Sequence, residues 1–117
     1  MKCIKNLHLE EWKKEIAFEA LEAADSILIQ TRSSTYRFLV VDPSLRRGML
    51  SGGRLGDHPC DAILAATLAR EADGFRSDPS GLKVQSRALF YISAEDRLDQ
   101  LLTSAITDLD HIKCAAA

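Results

Sequence analysis

The stretch SILIQTRSSTYRFLVVDPSLRRGMLSGG, residues 26–53, decides the fold. Ile27-Leu28-Ile29-Gln30-Thr31 is a run rich in β-branched residues, Ile27, Ile29 and Thr31, that ends in the polar cluster Arg32-Ser33-Ser34-Thr35. After it, Tyr36, Phe38 and Val40 alternate with Arg37 and Leu39, the two-residue period of a half-buried strand. Asp42-Pro43-Ser44 stops that strand, because proline supplies no ladder donor and aspartate and serine favour turns. A third strand restarts at Arg47-Gly48-Met49-Leu50-Ser51 and ends in Gly52-Gly53. Three consecutive strands with short turns form an antiparallel meander.

On the C-terminal side, Gly56-Asp57-His58-Pro59 continues a loop to about Cys60. Residues 61–72 read two ways: Asp61 as cap and Gly74 as stop suit a helix, while Ala62-Ile63-Leu64-Ala65 equally suits a buried strand. Ser77-Asp78-Pro79-Ser80-Gly81 is a turn-rich loop. Leu82, Val84, Ala88, Phe90 and Ile92 then fall on one side of a strand, with Lys83, Gln85, Arg87 and Tyr91 on the other. Residues 98–106 return as a strand or short helix, and 110–117 read as a loose tail. On the N-terminal side, Leu9, Trp12, Ile16, Ala20 and Ala24 recur at helical spacing, predicting an amphipathic helix over 8–24. Its Trp12 and Ile16 stripe packs on the domain or, if left exposed, serves a partner. The expected fold is mainly β, α+β by content: one domain over 1–117, with the helix followed by an antiparallel β-barrel of about five to six strands spanning 25–109.

From Asp25 to Gly53 the chain resembles a group of small uncharacterised bacterial proteins. The shared pattern is Arg32, Ser34, Thr35, Tyr36, Phe38, Asp42, Pro43, Gly52 and Gly53, and a weaker likeness continues through Gly81-Leu82, residues 87–92 and 103–106. The resemblance implies a compact barrel-like body and favours the strand reading of 62–67. It brings no activity, substrate or catalytic residue. This chain departs from the pattern in having 65–75 where such proteins carry a glycine-rich stretch, and in its N-terminal segment.

Composition narrows the function classes. With 46% hydrophobic and 27% charged residues this is an ordinary globular composition. The first fifteen residues mix lysines with glutamates and have no apolar core, so no secretory signal is read there. Cys3, Cys60 and Cys114 are widely spaced and form no Cys-x-x-Cys pair, which suits free thiols, a reducing compartment and a cytoplasmic location. Neither a membrane nor a nucleic acid is the expected partner. Residues 32–54 are the basic part of the chain, carrying five arginines (Arg32, Arg37, Arg46, Arg47, Arg54) against Asp42 alone. In a meander Arg46 and Arg47 lie at the end opposite Arg32 and Arg54, so the five need not form one patch.

The turn 32–35 and the loop 52–54 share an end of the meander, which brings Arg32, Ser33, Ser34, Thr35, Gly53 and Arg54 together. Guanidinium forks, hydroxyls and glycine-exposed amides are the materials of an anion site. The competing explanation is ordinary turn chemistry. His58/Cys60 and His111/Cys114 could in principle contribute to zinc, but the spacing is not a zinc spacing and coincidence explains it better, so no metal or cofactor is assigned. No nucleophile elbow or carboxylate pair marks a catalytic site, and an enzyme is the lesser reading. The leading expectation is a binding or interaction module that self-associates as a homo-oligomer or meets a protein partner. The alternative is a small anionic-ligand-binding protein using 32–35 and 52–54.

Overall fold

The computed structural model describes residues 2–5, 14–94 and 96–115. The strands are β1 (Lys2–Lys5), β2 (Glu15–Ala17), β3 (Ser26–Thr31), β4 (Thr35–Asp42), β5 (Arg47–Gly52), β6 (Cys60–Glu71), β7 (Gly74–Asp78), β8 (Gly81–Lys83), β9 (Arg87–Ala94), β10 (Arg97–Leu102) and β11 (Ile106–Ala115). Every pairing is antiparallel. Nine strands form one sheet in the order β1-β11-β3-β4-β5-β6-β9-β10, with β7 on β6, while β2 and β8 form a separate pair.

The β3-β4-β5 meander is where the alternation places it. Ile27, Ile29, Tyr36, Phe38, Val40 and Leu50 point into the core, and Arg37 and Leu39 point out. The ambiguous 61–72 segment is strand: Ala62 and Leu64 pair across to Ile92 and Phe90 on β9, and all four are buried. Phe38 meets Phe90 at a centroid distance of 5.4 Å, joining the two halves of the core in a tilted aromatic contact.

Three expectations are corrected. The helix over 8–24 is absent where it can be seen: residues 15–17 are strand and Phe18–Ala20 is a single 3-10 turn, while Trp12 and the rest of 8–13 lie outside the described residues. Ile16 and Leu82 sit opposite each other between β2 and β8, so Ile16 is paired by strand register and not by a helical stripe. Phe18 and Leu21 carry the burial that the helix spacing assigned to Ala20 and Ala24, both exposed.

The loose tail is the second correction. Residues 110–115 continue β11, because Leu109 and His111 alternate inward and pair with Ile29 and Ile27, while 116–117 lie outside the described residues.

The barrel is the third. The sheet curls strongly, since β10 and β11 are its eighth and second strands yet only residues 103–105 join them, and the four Cα–Cα steps from Leu102 to Ile106 reach no more than about 14 Å. The two strands do not pair, so the sheet remains open. The β2-β8 pair contributes to the core beside this opening, with Ile16, Leu82, Phe18 and Leu21 buried in it. Buried Thr67 ties it down by donating from Oγ1 to the Gly81 carbonyl at 2.7 Å.

Candidate interaction surface

The outward side of the sheet carries apolar side chains at positions where a solvated strand would carry polar ones. Cross-strand register arranges them in rows. One runs Leu39, Met49, Asp61, Ser93 and Leu98; the next runs Arg47, Ile63, Tyr91 and Gln100; a third brings Ala66, Leu89 and Leu102 together. Leu39, Ile63, Tyr91 and Leu102 are each 40–41% exposed and Leu98 is 81% exposed. Directly opposed residues lie about 5 Å apart and strands about 4.8 Å apart, so these side chains form one continuous patch across β4, β5, β6, β9 and β10.

One ion pair sits within the patch. Arg47 donates to Asp61 through Nε at 2.9 Å and Nη2 at 2.7 Å, a two-pronged arrangement that holds both groups flat on the sheet. The Arg47 hydrogen bonds hold the Asp61 carboxyl below its usual range, and Asp61 in turn raises Arg47.

The sequence-derived anion residues do gather at one end. The turn of Arg32, Ser33 and Ser34 joins β3 to β4, and the loop of Gly53 and Arg54 leaves β5 beside it, since Tyr36 pairs with Gly52. The 32–34 turn borders the segment that links β10 to β11, the Arg32 amide donating to the Ala105 carbonyl at 3.1 Å and Ser33 Oγ to Ser104 Oγ at 3.2 Å, and the 53–54 loop borders β10 itself, Arg54 Nη2 donating to the Gln100 carbonyl at 3.2 Å. Within the turn, Thr31 Oγ1 accepts from the Ser34 amide at 3.0 Å, and the Thr31 amide donates to the Ser34 carbonyl at 2.8 Å. Thr35 is exposed at the start of β4 opposite Gln30. Gly53 has a positive φ of 52°, and a Cβ there would press on the Tyr36 ring, so its glycine character serves the loop's own packing.

The other arginines are dispersed. Arg46 lies at the opposite end, where its guanidinium stacks 4.8 Å from the Phe18 ring centroid and donates from Nε to the Leu64 carbonyl at 2.9 Å. It floors a cleft of about 430 Å³ framed by two Asp-Pro-Ser turns. In these turns Ser44 and Ser80 each turn their hydroxyls back onto Asp42 and Asp78, at 2.7 and 2.6 Å. Arg46, Ser44 and Ser80 are thus engaged in holding the walls of this cleft.

His111, weighed from sequence as a metal ligand, is buried, and its Nε2 lies 2.7 Å from Asp25 Oδ2. Among the described residues no group of three His, Cys, Asp or Glu side chains could hold a metal ion. No helix is long and apolar enough to cross a membrane among those same residues.

Sequence reading overlooked the outward patch. Its signal was present in Leu39, Val41 and Ile63, apolar residues at the parity of Arg37 and Asp61, but single exposed apolar residues are ordinary and only the register shows that these are neighbours.

Fold and site together define an open, curled, mainly β structure whose outer face mixes exposed apolar side chains with an ion pair. Comparison of the chain with protein-family models, with curated proteins and with solved structures returns no match.

Proposed function

We propose that this chain is a small β-sheet interaction module that associates with a second copy of itself through the outer face of β4, β5, β6, β9 and β10. The observation that carries the reading is the set of registered, exposed apolar side chains, Leu39, Ile63, Tyr91, Leu98 and Leu102, on one face. A second copy suits this face because it bears both signs of charge, Arg37 on β4 and the Arg47–Asp61 pair on β5 and β6, so a two-fold contact can bring Arg37 of one copy to Asp61 of the other while burying the leucines. Dimers of standard size cover roughly 800 Å² per partner, about a tenth of the 7401 Å² that this chain exposes.

The alternative, anion capture by Arg32, Ser33, Ser34, Thr35, Gly53 and Arg54, has less support. Ser33 Oγ, the Arg32 amide and an Arg54 guanidinium nitrogen already donate to Ser104, Ala105 and Gln100. Light scattering coupled to size exclusion at two salt concentrations tests the choice. A dimer that persists at high salt is expected, because apolar burial is not screened. A monomer at micromolar concentration in both buffers would end the interaction reading and turn the search to anions at the Arg32 and Arg54 end.

A further inference from the structure

Cys3 and Cys114 stand at opposite ends of the sequence, and the fold brings them into register. In the antiparallel β1-β11 ladder Lys2 is opposite Ala115, Cys3 opposite Cys114, Ile4 opposite Lys113 and Lys5 opposite Ile112. Directly opposed residues of an antiparallel pair share a face of the sheet and have Cα atoms about 4.5 or 5.5 Å apart, depending on whether the pair is hydrogen-bonded. Both distances fall inside the window of roughly 4.4–6.8 Å that a disulfide bridges. The third cysteine is elsewhere: Cys60 opens β6 opposite Leu50, four strands from β11 in the sheet, roughly 19 Å along its surface.

We propose that Cys3 and Cys114 form a reversible cross-strand disulfide, made by exchange with a small oxidised disulfide such as oxidised glutathione. One cysteine thiolate attacks a sulfur of the glutathione disulfide, forming a mixed disulfide and releasing one glutathione thiolate. The other cysteine, after losing its proton, attacks the protein sulfur of that mixed disulfide and releases the second glutathione. Two protein thiols are oxidised by two electrons, and one glutathione disulfide is reduced to two thiols. The bond ties β1, held by four residue pairs among the described residues, to the strand that also carries His111 and Lys113. It closes a loop of nearly the whole chain, so the oxidised form gains stability through its constrained unfolded state. The sheet edge formed by β1 is thereby fixed under oxidising conditions and can peel from β11 under reducing ones.

The test uses the full chain, reduced and then equilibrated in glutathione buffers of increasing oxidised fraction, quenched with acid and labelled with N-ethylmaleimide. Intact mass is expected to show label falling from three groups to one, with the remaining group on Cys60 and a peptide linking Cys3 to Cys114. The Cys60→Ser variant is expected to fall from two groups to none, and thermal unfolding of the oxidised protein to rise by more than about 5 °C over the reduced. Three labels retained in the most oxidising buffer would overturn the proposal. So would a bond to Cys60, glutathione adducts without an internal link, or a bridge found only between two molecules.

Discussion

Asp25 is the residue at which the core is most polar. Burial works to raise its pKa, but hydrogen bonds from His111, from the Glu22 amide at 2.9 Å and from Lys113 outweigh that, and the carboxyl lies below its ordinary value of 3.8. A carboxyl depressed by folding stabilises the fold fully above its unfolded value, and that contribution is lost as pH falls through the folded value. Asp25→Asn is therefore expected to cost roughly 2 kcal/mol at pH 6, and the gap between variant and parent to narrow as pH drops toward 3. Urea unfolding of both proteins at the two pH values checks it. Asp78 is depressed in the same direction, chiefly by Lys83 and Ser80, but it is common to both proteins and cancels in the comparison.

Gly48 makes a second test at this scale. It sits in mid-strand, where a Cβ would overlap the Leu39 carbonyl and crowd the Phe38 ring. Gly48→Ala is expected to destabilise by about 2 kcal/mol in the same unfolding assay, against the small gain that alanine usually brings over glycine. Neither residue was legible from sequence as special. Asp25 and His111 are 86 positions apart, and Gly48 lies in a run that reads as any strand.

Among the elements, β6 shows what pattern can and cannot decide. Its alanines and leucines allow a helix by propensity, and the strand prevails because β9 offers seven paired residues along one edge and β5 and β7 share the other. Between β5 and β7 the ladder is interrupted at residues 64–66, where Arg46 stands in. Its carbonyl accepts from the Leu64 amide at 2.9 Å, and its Nε donates back to the Leu64 carbonyl. Arg46→Met keeps a long apolar stem but removes the donor, leaving a carbonyl short of its partner. The expected result is roughly tenfold faster hydrogen exchange at the amides of 64–66, with β3 and β4 unchanged, an effect worth about 1.4 kcal/mol locally. Equal exchange in parent and variant would show the stacked guanidinium to be ornamental to the ladder.

The elements also show where periodicity misleads. The spacing of Ile16, Ala20 and Ala24 suits a helix, yet the burial falls on Ile16, Phe18 and Leu21, because tertiary partners on β8 and in the core select the larger side chains. The strand read continuously through 82–92 is broken at Gln85, whose φ of 77° turns the chain from the small sheet into the large one. Of the residues expected on its inward side, Leu82, Ala88, Phe90 and Ile92 are buried and Val84 is partly buried against the core.

For the whole molecule, the antiparallel meander and its inner face follow from local alternation, and so does the dispersal of the arginines, which strand reversal dictates. Closure does not follow. Whether the ends of a curled sheet pair is decided by the path of residues 103–105 and by the β2-β8 pair, which are long-range matters. Arg54 illustrates the difference. From sequence it belonged to an anion site, whereas in the fold it donates to Gln100 on β10, the last strand of the sheet order, and helps to shield an open edge. The outer face became visible only once nine strands were in register, and it is there that the molecule has apolar surface to spare.

Equilibrium sedimentation of the parent chain beside Ile63→Lys tests that face most directly. Ile63 is 40% exposed, so lysine there should cost the fold less than about 1 kcal/mol while placing an unpaired charge at the centre of the patch. The parent is expected to sediment at twice the mass of the chain and the variant, equally folded, at the mass of one chain. A parent that sediments as a monomer, or a variant that dimerises as tightly as the parent, would contradict self-association through this surface.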